Sequence, residues 1–241
     1  MSLFTFKKGL HLPYNKELTK DKSIEVFEPK KELIFPLSQH IGAPCEPIVK
    51  VGQKVLVNEK IADSSAFVSS PIHSSVSGTV KDIREIQSIN GSNTQAIIIE
   101  NDYKYEKYPN ENPKYSNRLS LKDVVNLVKD YGIVGLGGAT FPCHVKLNVK
   151  EDKEIKYIII NAAECEPYLT CDHRVMLEYT EEIISGLRIL LELFPKALIY
   201  IGIEDNKLNA IDKFKSILGE EAKIKVMPLK TKYPQGSEKH F

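Results

Sequence analysis

The sequence has almost no surplus charge, few cysteines and no long apolar run, and each shortage removes a class of function. Its 33 Lys and Arg residues face 32 Asp and Glu, a formal net charge of +1 over 241 residues. No basic field exists to capture a polyphosphate backbone, so nucleic acid is not an expected partner. The longest apolar runs, among them Ala96–Ile99 and Tyr157–Ile160, fall far short of the ~20 residues that cross a bilayer. No direct membrane span is expected. The residues after Met1 form neither an apolar h-region nor a small-residue cleavage site, which makes the cytoplasm the default compartment. The four cysteines, at positions 45, 143, 165 and 171, contain no C-x-x-C pair and fit no zinc or iron–sulfur spacing. His40, His73, His144 and His173 are scattered, so no metal ligand set is expected. What remains, with 42% hydrophobic and 27% charged residues, is the composition of an ordinary globular chain.

Up to residue 32 the chain is polar and broken by Pro13, Asn15 and Pro29, which reads as an extended arm with one possible strand at Ser23–Phe27. Residues 33–100 are short β-prone runs separated by turn residues, without a helical period: 33–37, 47–51, 54–57, 60–62, 75–83 and 95–100. The turns at Val51–Val55, Pro71–His73 and Ser77–Val80 are similar to those of the biotinyl or lipoyl carrier fold, a β barrel-sandwich hybrid. A carrier needs an exposed lysine at a hairpin tip. None stands between Ile61 and Val80, so the module is expected to be a scaffold or docking element. Residues 101–117 have linker composition, and from 118 to 241 the pattern changes. A helix capped at Ser120 leads to apolar strands at 155–161, 197–203 and 223–227, which alternate with helices at 176–194 and 207–218. The expected class is therefore multidomain α+β, with a barrel-sandwich hybrid followed by a doubly wound, Rossmann-like α/β domain whose strands are buried on both faces.

Three constellations carry chemistry. Gly135-Leu136-Gly137-Gly138-Ala139-Thr140-Phe141-Pro142 allows close backbone approach to an anion, although a tight turn between helices gives the same pattern. Asn161-Ala162-Ala163-Glu164-Cys165-Glu166-Pro167-Tyr168 follows a strand, where α/β sheets bind ligands; a solvated acidic loop is the alternative. Lys232-Tyr233-Pro234-Gln235-Gly236-Ser237-Glu238-Lys239 offers an aromatic face and another close approach, or a frayed tail. Cys165 and Cys171 flank the acidic tip and read as small buried hydrophobes, with redox-sensitive thiols as the alternative.

Taken together, the three constellations resemble the flavin loop, the N-A-D-E-S-E-P tip and the Y-x-x-G-E-E segment of the NADH-oxidising flavoprotein subunit of respiratory complex I. They are more similar still to the C subunits of Rnf electron-transport complexes, with G-L-G-G-A-T-F-P, N-A-A-E-C-E-P-Y-L and K-Y-P-Q-G-x-E-K, and the resemblance covers essentially the whole chain. It implies an FMN- and NADH-binding domain. Gly135, Gly137, Gly138, Ala139 and Phe141 would line the cleft, Lys146 would meet the flavin phosphate, Asn161, Glu164 and Glu166 would hold the flavin, and Tyr233, Gly236 and Glu238 would lie beside the rings. Glu164 and Glu238 are the implied catalytic carboxylates. Leu136, Ala163 and Ser237 depart from the complex I pattern, so its nicotinamide contacts do not transfer at those places.

The implied function is the electron-entry module of a membrane-associated complex, passing electrons between NADH and ferredoxin with coupled ion translocation. Its partners would be other subunits of that complex, its place the inner face of the cell membrane. Iron–sulfur clusters are expected only in a C-terminal region that this sequence lacks. The alternative is a non-catalytic docking or assembly subunit with an empty cleft.

Overall fold

The computed structural model describes residues 4–89, 91–109, 119–136, 138, 140–150 and 154–240. The chain divides into two compact units, residues 27–150 and residues 1–26 together with 151–241. This division does not follow the linker expected at 101–117. The helical segment after the linker packs on the barrel, and the arm hydrogen-bonds into the α/β unit.

In the barrel unit, β1 (Glu32–Pro36), β2 (Glu46–Pro47), β3 (Lys54–Val55), β4 (Lys60–Asp63), β5 (Ile72–His73), β6 (Gly78–Gln87) and β7 (Asn93–Asn101) form two antiparallel sheets, ordered β1-β7-β6-β3 and β2-β4-β5. Alternation along the strands sends Phe35, Ile61, Val80, Ile97 and Ile99 into one core. Gly78 is required there, because a Cβ at that position would stand 2.0 Å from the Glu100 carbonyl oxygen of β7. Two helices follow, α1 (Leu121–Asp130) and α2 (Cys143–Leu147). The start of α1 is the expected capping box: the Ser120 hydroxyl accepts from the Asp123 amide, and the Asp123 carboxylate accepts from the Ser120 amide.

In the α/β unit, β8 (Tyr157–Ala162), α3 (Cys171–Glu178), α4 (Thr180–Leu193), β9 (Leu198–Glu204), α5 (Leu208–Leu218) and β10 (Ile224–Leu229) build a parallel sheet ordered β10-β9-β8. The single helix expected over 176–194 is two, broken at Tyr179, whose φ of −125° and ψ of 35° leave the helical region. The doubly wound expectation is corrected as well. Strand order follows chain order, so right-handed crossovers place successive helices on the same face. Met176, Ile184, Leu187, Ile211 and Phe214 accordingly share one core with Ile199, Ile201 and Ile203 of β9. On the opposite face of β8, Tyr157 and Ile159 are exposed, so this strand is not of the doubly buried type.

The arm contains no strand at Ser23–Phe27. Instead it is bonded residue by residue to the α/β unit. Leu10 and Tyr233 exchange backbone hydrogen bonds of 2.8 Å in both directions, and the Tyr168 amide donates to the Tyr14 carbonyl at 2.8 Å. Ile24 donates its amide to the Glu178 carboxylate.

Candidate functional site

The glycine loop belongs to the barrel unit, and the other two constellations belong to the α/β unit. The loop is closed at its base by the Gly135 amide donating to the Phe141 carbonyl and the Cys143 amide to the Ile133 carbonyl, each at 3.0 Å. Thr140, at a left-handed φ of 50°, donates its hydroxyl to the Gln39 carbonyl at 2.9 Å. His144 of α2 is buried and donates from Nε2 to the Phe67 carbonyl at 3.0 Å. The barrel hairpin where a carrier would display its lysine therefore braces the loop. Gly138 faces open space, with no atom within 4 Å of the position a Cβ would take. The exposed Lys146 places its ammonium 3.9 Å from the equivalent position on Gly135 and 5.8 Å from the centre of the half-buried Phe141 ring. Gly137 and Ala139 lie outside the described residues.

In the α/β unit the remaining constellations meet at the carboxyl ends of the strands, where an α/β sheet presents its ligand crevice. The organising groups come from the end of β9, which sequence reasoning passed over. Lys207 is fully buried and donates to the Ala163 carbonyl at 2.6 Å, to Asn206 Oδ1 at 2.9 Å and to Glu204 Oε2 at 3.2 Å. Glu204 Oε1 in turn accepts from the Lys232 amide at 3.3 Å, and Asp205 Oδ1 accepts from the Thr231 amide at 3.0 Å. One buried ion pair thus ties the tip after β8 to the segment after β10. Burial pushes the Glu204 carboxyl up and the Lys207 ammonium down, while each partner holds the other charged. The signal in the sequence is the polar run Glu204-Asp205-Asn206-Lys207 directly after an apolar strand.

The expected site residues here take different tasks. Asn161 donates from Nδ2 to the Gly236 carbonyl at 2.7 Å, and the Gly236 amide donates to Cys165 Sγ at 3.1 Å. A side chain at position 236 would press on that sulfur, since a Cβ would lie 3.2 Å from it. Cys165 is buried, as expected, and burial pushes its thiol up; Cys171 is exposed, against expectation. Glu164, read as a catalytic carboxylate, is buried: its Oε1 accepts from the Asp172 amide at 2.7 Å and its Oε2 lies 3.7 Å from Lys16 Nζ. Burial raises its carboxyl above the usual range, with Lys16 opposing. Its geometry is that of a group holding the loop. Cys171, Asp172 and Glu164 offer ligand-type atoms within 4.8 Å of one another, but the Lys16 ammonium already supplies the positive charge. Glu166 and Glu238 are exposed and Tyr233 is half-buried.

The sequence model of the RnfC barrel sandwich hybrid domain matches residues 4–104, and that of the Nuo51 FMN-binding domain matches residues 128–241. The C subunit of the Na(+)-translocating ferredoxin:NAD(+) oxidoreductase complex of Acetobacterium woodii is 40% identical over 238 residues, 98% of this chain and 54% of the relative. The proton-translocating counterpart of Clostridium ljungdahlii is 42% identical over 239 residues, covering 98% and 52%. Over 98% of its length the chain is similar to Rnf C subunits. The C subunit of an ion-translocating oxidoreductase complex of Rhodobacter capsulatus is 38% identical over 243 residues, 99% of this chain and 46% of the relative. The chain thus spans about half the length of the Rnf C subunits it matches. The order of a barrel-sandwich hybrid followed by an FMN-binding domain is that expected from the turn pattern of residues 33–100 and the resemblance carried by the three motifs. Among the described residues no helix is long and apolar enough to cross a membrane. The glycine loop fits the phosphate end of such a cofactor, because Gly138 leaves its backbone open and Lys146 brings a cation beside the loop.

Proposed function

We propose that this chain binds FMN and NADH and forms the electron-entry module of an Rnf-type complex, which passes electrons between NADH and ferredoxin with coupled ion translocation. The observation that carries this reading is the glycine loop, whose open Gly138 and adjacent Lys146 lie inside the stretch matched by an FMN-binding domain. Bound FMN supplies the hydride-accepting ring, and the protein supplies its placement and electrostatics.

On this reading the Lys146 ammonium pairs with the phosphate, and the backbone of Gly135, Gly137, Gly138 and Ala139 allows close approach. Phe141 offers a ring face beside the loop. The exposed carboxylates of Glu166 and Glu238 are acceptors for ribityl or ribose hydroxyls, with Tyr233 and Gly236 next to Glu238. Asn161 and Glu164 act by shaping the tip, since both side chains are already bonded within the unit. The four cysteines lack cluster spacing, so the iron–sulfur relay belongs to other segments or subunits. The module is peripheral, held at the inner face of the membrane by partner subunits.

Gly138→Val tests the reading, because the open surroundings at this position make a fold penalty small while the added side chain blocks backbone approach. The expected result is an unchanged melting temperature with lost FMN uptake, followed by flavin absorbance. Lys146→Ala should weaken uptake more at low than at high salt. Unchanged FMN affinity in both variants removes the loop from the site and leaves the docking role.

A further inference from the structure

The arm residue Lys16 has no task in the reading above, yet it is among the most completely bonded charges in the molecule. It is buried at 5% exposure, and its ammonium donates to the Glu164 carbonyl at 2.9 Å, the Glu166 carbonyl at 3.1 Å and the Leu169 carbonyl at 2.5 Å. The Glu164 carboxylate stands behind these, with Oε2 at 3.7 Å; that oxygen is buried and has no hydrogen-bond partner among the described residues. Three carbonyls and a carboxylate converging on one point form the coordination of a small cation. Here the cation is tethered, brought by a segment about 150 residues away in sequence. The carbonyls belong to a loop whose Glu164 and Tyr168 hold left-handed φ values of 53° and 68°, which non-glycine residues seldom adopt without external restraint. Around Lys16 the arm makes the same connection twice more: the Tyr168 amide donates to Tyr14, and the Thr19 and Thr170 hydroxyls lie 2.7 Å apart.

We propose that Lys16 is a positioning residue for the flavin site: its ammonium is a built-in cation that sets the 164–169 loop in the shape presenting Glu166 to ligand. The proposal rests on the FMN reading of that loop. Arginine is no substitute, since a planar fork does not fill a tripod of carbonyls.

The test uses the whole chain with two variants. Lys16→Ala removes three methylenes and the ammonium, the size of propylammonium, whereas Lys16→Met keeps an apolar stem in the channel and removes only the charge. Both are expected to keep their far-ultraviolet circular dichroism, to exchange the 164–169 amides faster, and to bind FMN about ten-fold more weakly. Added propylammonium should restore slow exchange and FMN affinity in Lys16→Ala, though not in Lys16→Met, and propanol should restore neither. Unchanged exchange in both variants overturns the proposal and leaves the FMN reading intact. Faster exchange with unchanged FMN affinity removes this loop from the flavin site, and the positioning role falls with it. Weakened binding that propylammonium fails to restore means that the ammonium is not the operative group.

Discussion

The two units differ in where they put charge. Among the described residues of the barrel unit the buried polar side chains are Ser69, Ser70, Ser74, Ser77, Asn101 and His144, with no buried Lys, Arg, Asp or Glu, and its core is built from alternating strand residues and ladder hydrogen bonds. In the α/β unit Lys16, Glu164, Glu204, Lys207 and Lys232 are all buried, and they cluster at the carboxyl ends of the strands and along the arm. A barrel that only braces a loop needs no charge inside. A tip assembled from four separate segments is different: the arm and the segments after β8, β9 and β10 share no continuous ladder. Lysine ammonium groups bridge their unpaired carbonyls, and the arrangement is paid for in desolvation.

The largest effect on this division of charge is expected from Lys207→Met. It leaves Glu204 buried without its partner and the Ala163 carbonyl without its donor. Removing one member of a buried pair should destabilise the α/β unit by about 3–5 kcal/mol. Native-state hydrogen exchange is expected to show the loss in β8–β10 amides while β6 and β7 amides keep their protection. A loss under ~1 kcal/mol, the scale of an exposed pair, would mean that the network is decoration and the apolar core carries both units alike.

A smaller loss, confined to the other unit, is expected from Ile99→Ala, whose side chain is fully buried in the barrel core. The cavity should lower barrel stability by about 2–4 kcal/mol. Denaturation followed at β6 and β7 amides should register it, and the α/β amides should not. Equal losses in both units would show that they unfold as one, and the contrast between them would lose its energetic meaning.

The same contrast explains what could be read in advance. Barrel strands such as β1, β6 and β7 announce themselves by short apolar runs between turn residues, and the α1 cap by Ser120 and Asp123, because these are local patterns. The ligand-facing motifs were legible as motifs: the glycine loop, the tip at 161–168 and the segment at 232–239. Their internal bonding was not. That Asn161 spends its amide on Gly236, or that Lys16 reaches Glu166, depends on segments 75 and 150 residues apart being brought together by the fold. The helix break at Tyr179 and the one-sided helix layer were missed for a related reason. Apolar periodicity reports that a residue is buried, while the face and the neighbour are set by strand order.

The smallest effect concerns protons. His173 of α3 is buried and donates from Nε2 to Asn209 Oδ1 at 2.8 Å, joining α3 to α5, and burial lowers its pKa below the usual 6.5. Above pH 6.5 the ring is neutral in the folded and unfolded chain alike, so its contribution is fully present. As pH falls from 6.5 towards the lower folded value, the unfolded chain takes up the proton first, and stability declines through that window. Glu164 and Glu204 act with the opposite sign, because burial raises their carboxyls and acid favours the folded form there. The histidine is therefore isolated by difference. The stability gap between wild type and His173→Gln, measured by urea denaturation at steps below pH 6.5 and read at α/β amides, should narrow as pH falls. His73 in the barrel unit is also lowered by burial, with Lys60 adding to the effect, so barrel amides should keep their acid slope in the same variant. A gap that stays constant with pH would mean that His173 titrates alike in both states and that its bond to Asn209, not its burial, is what the unit uses.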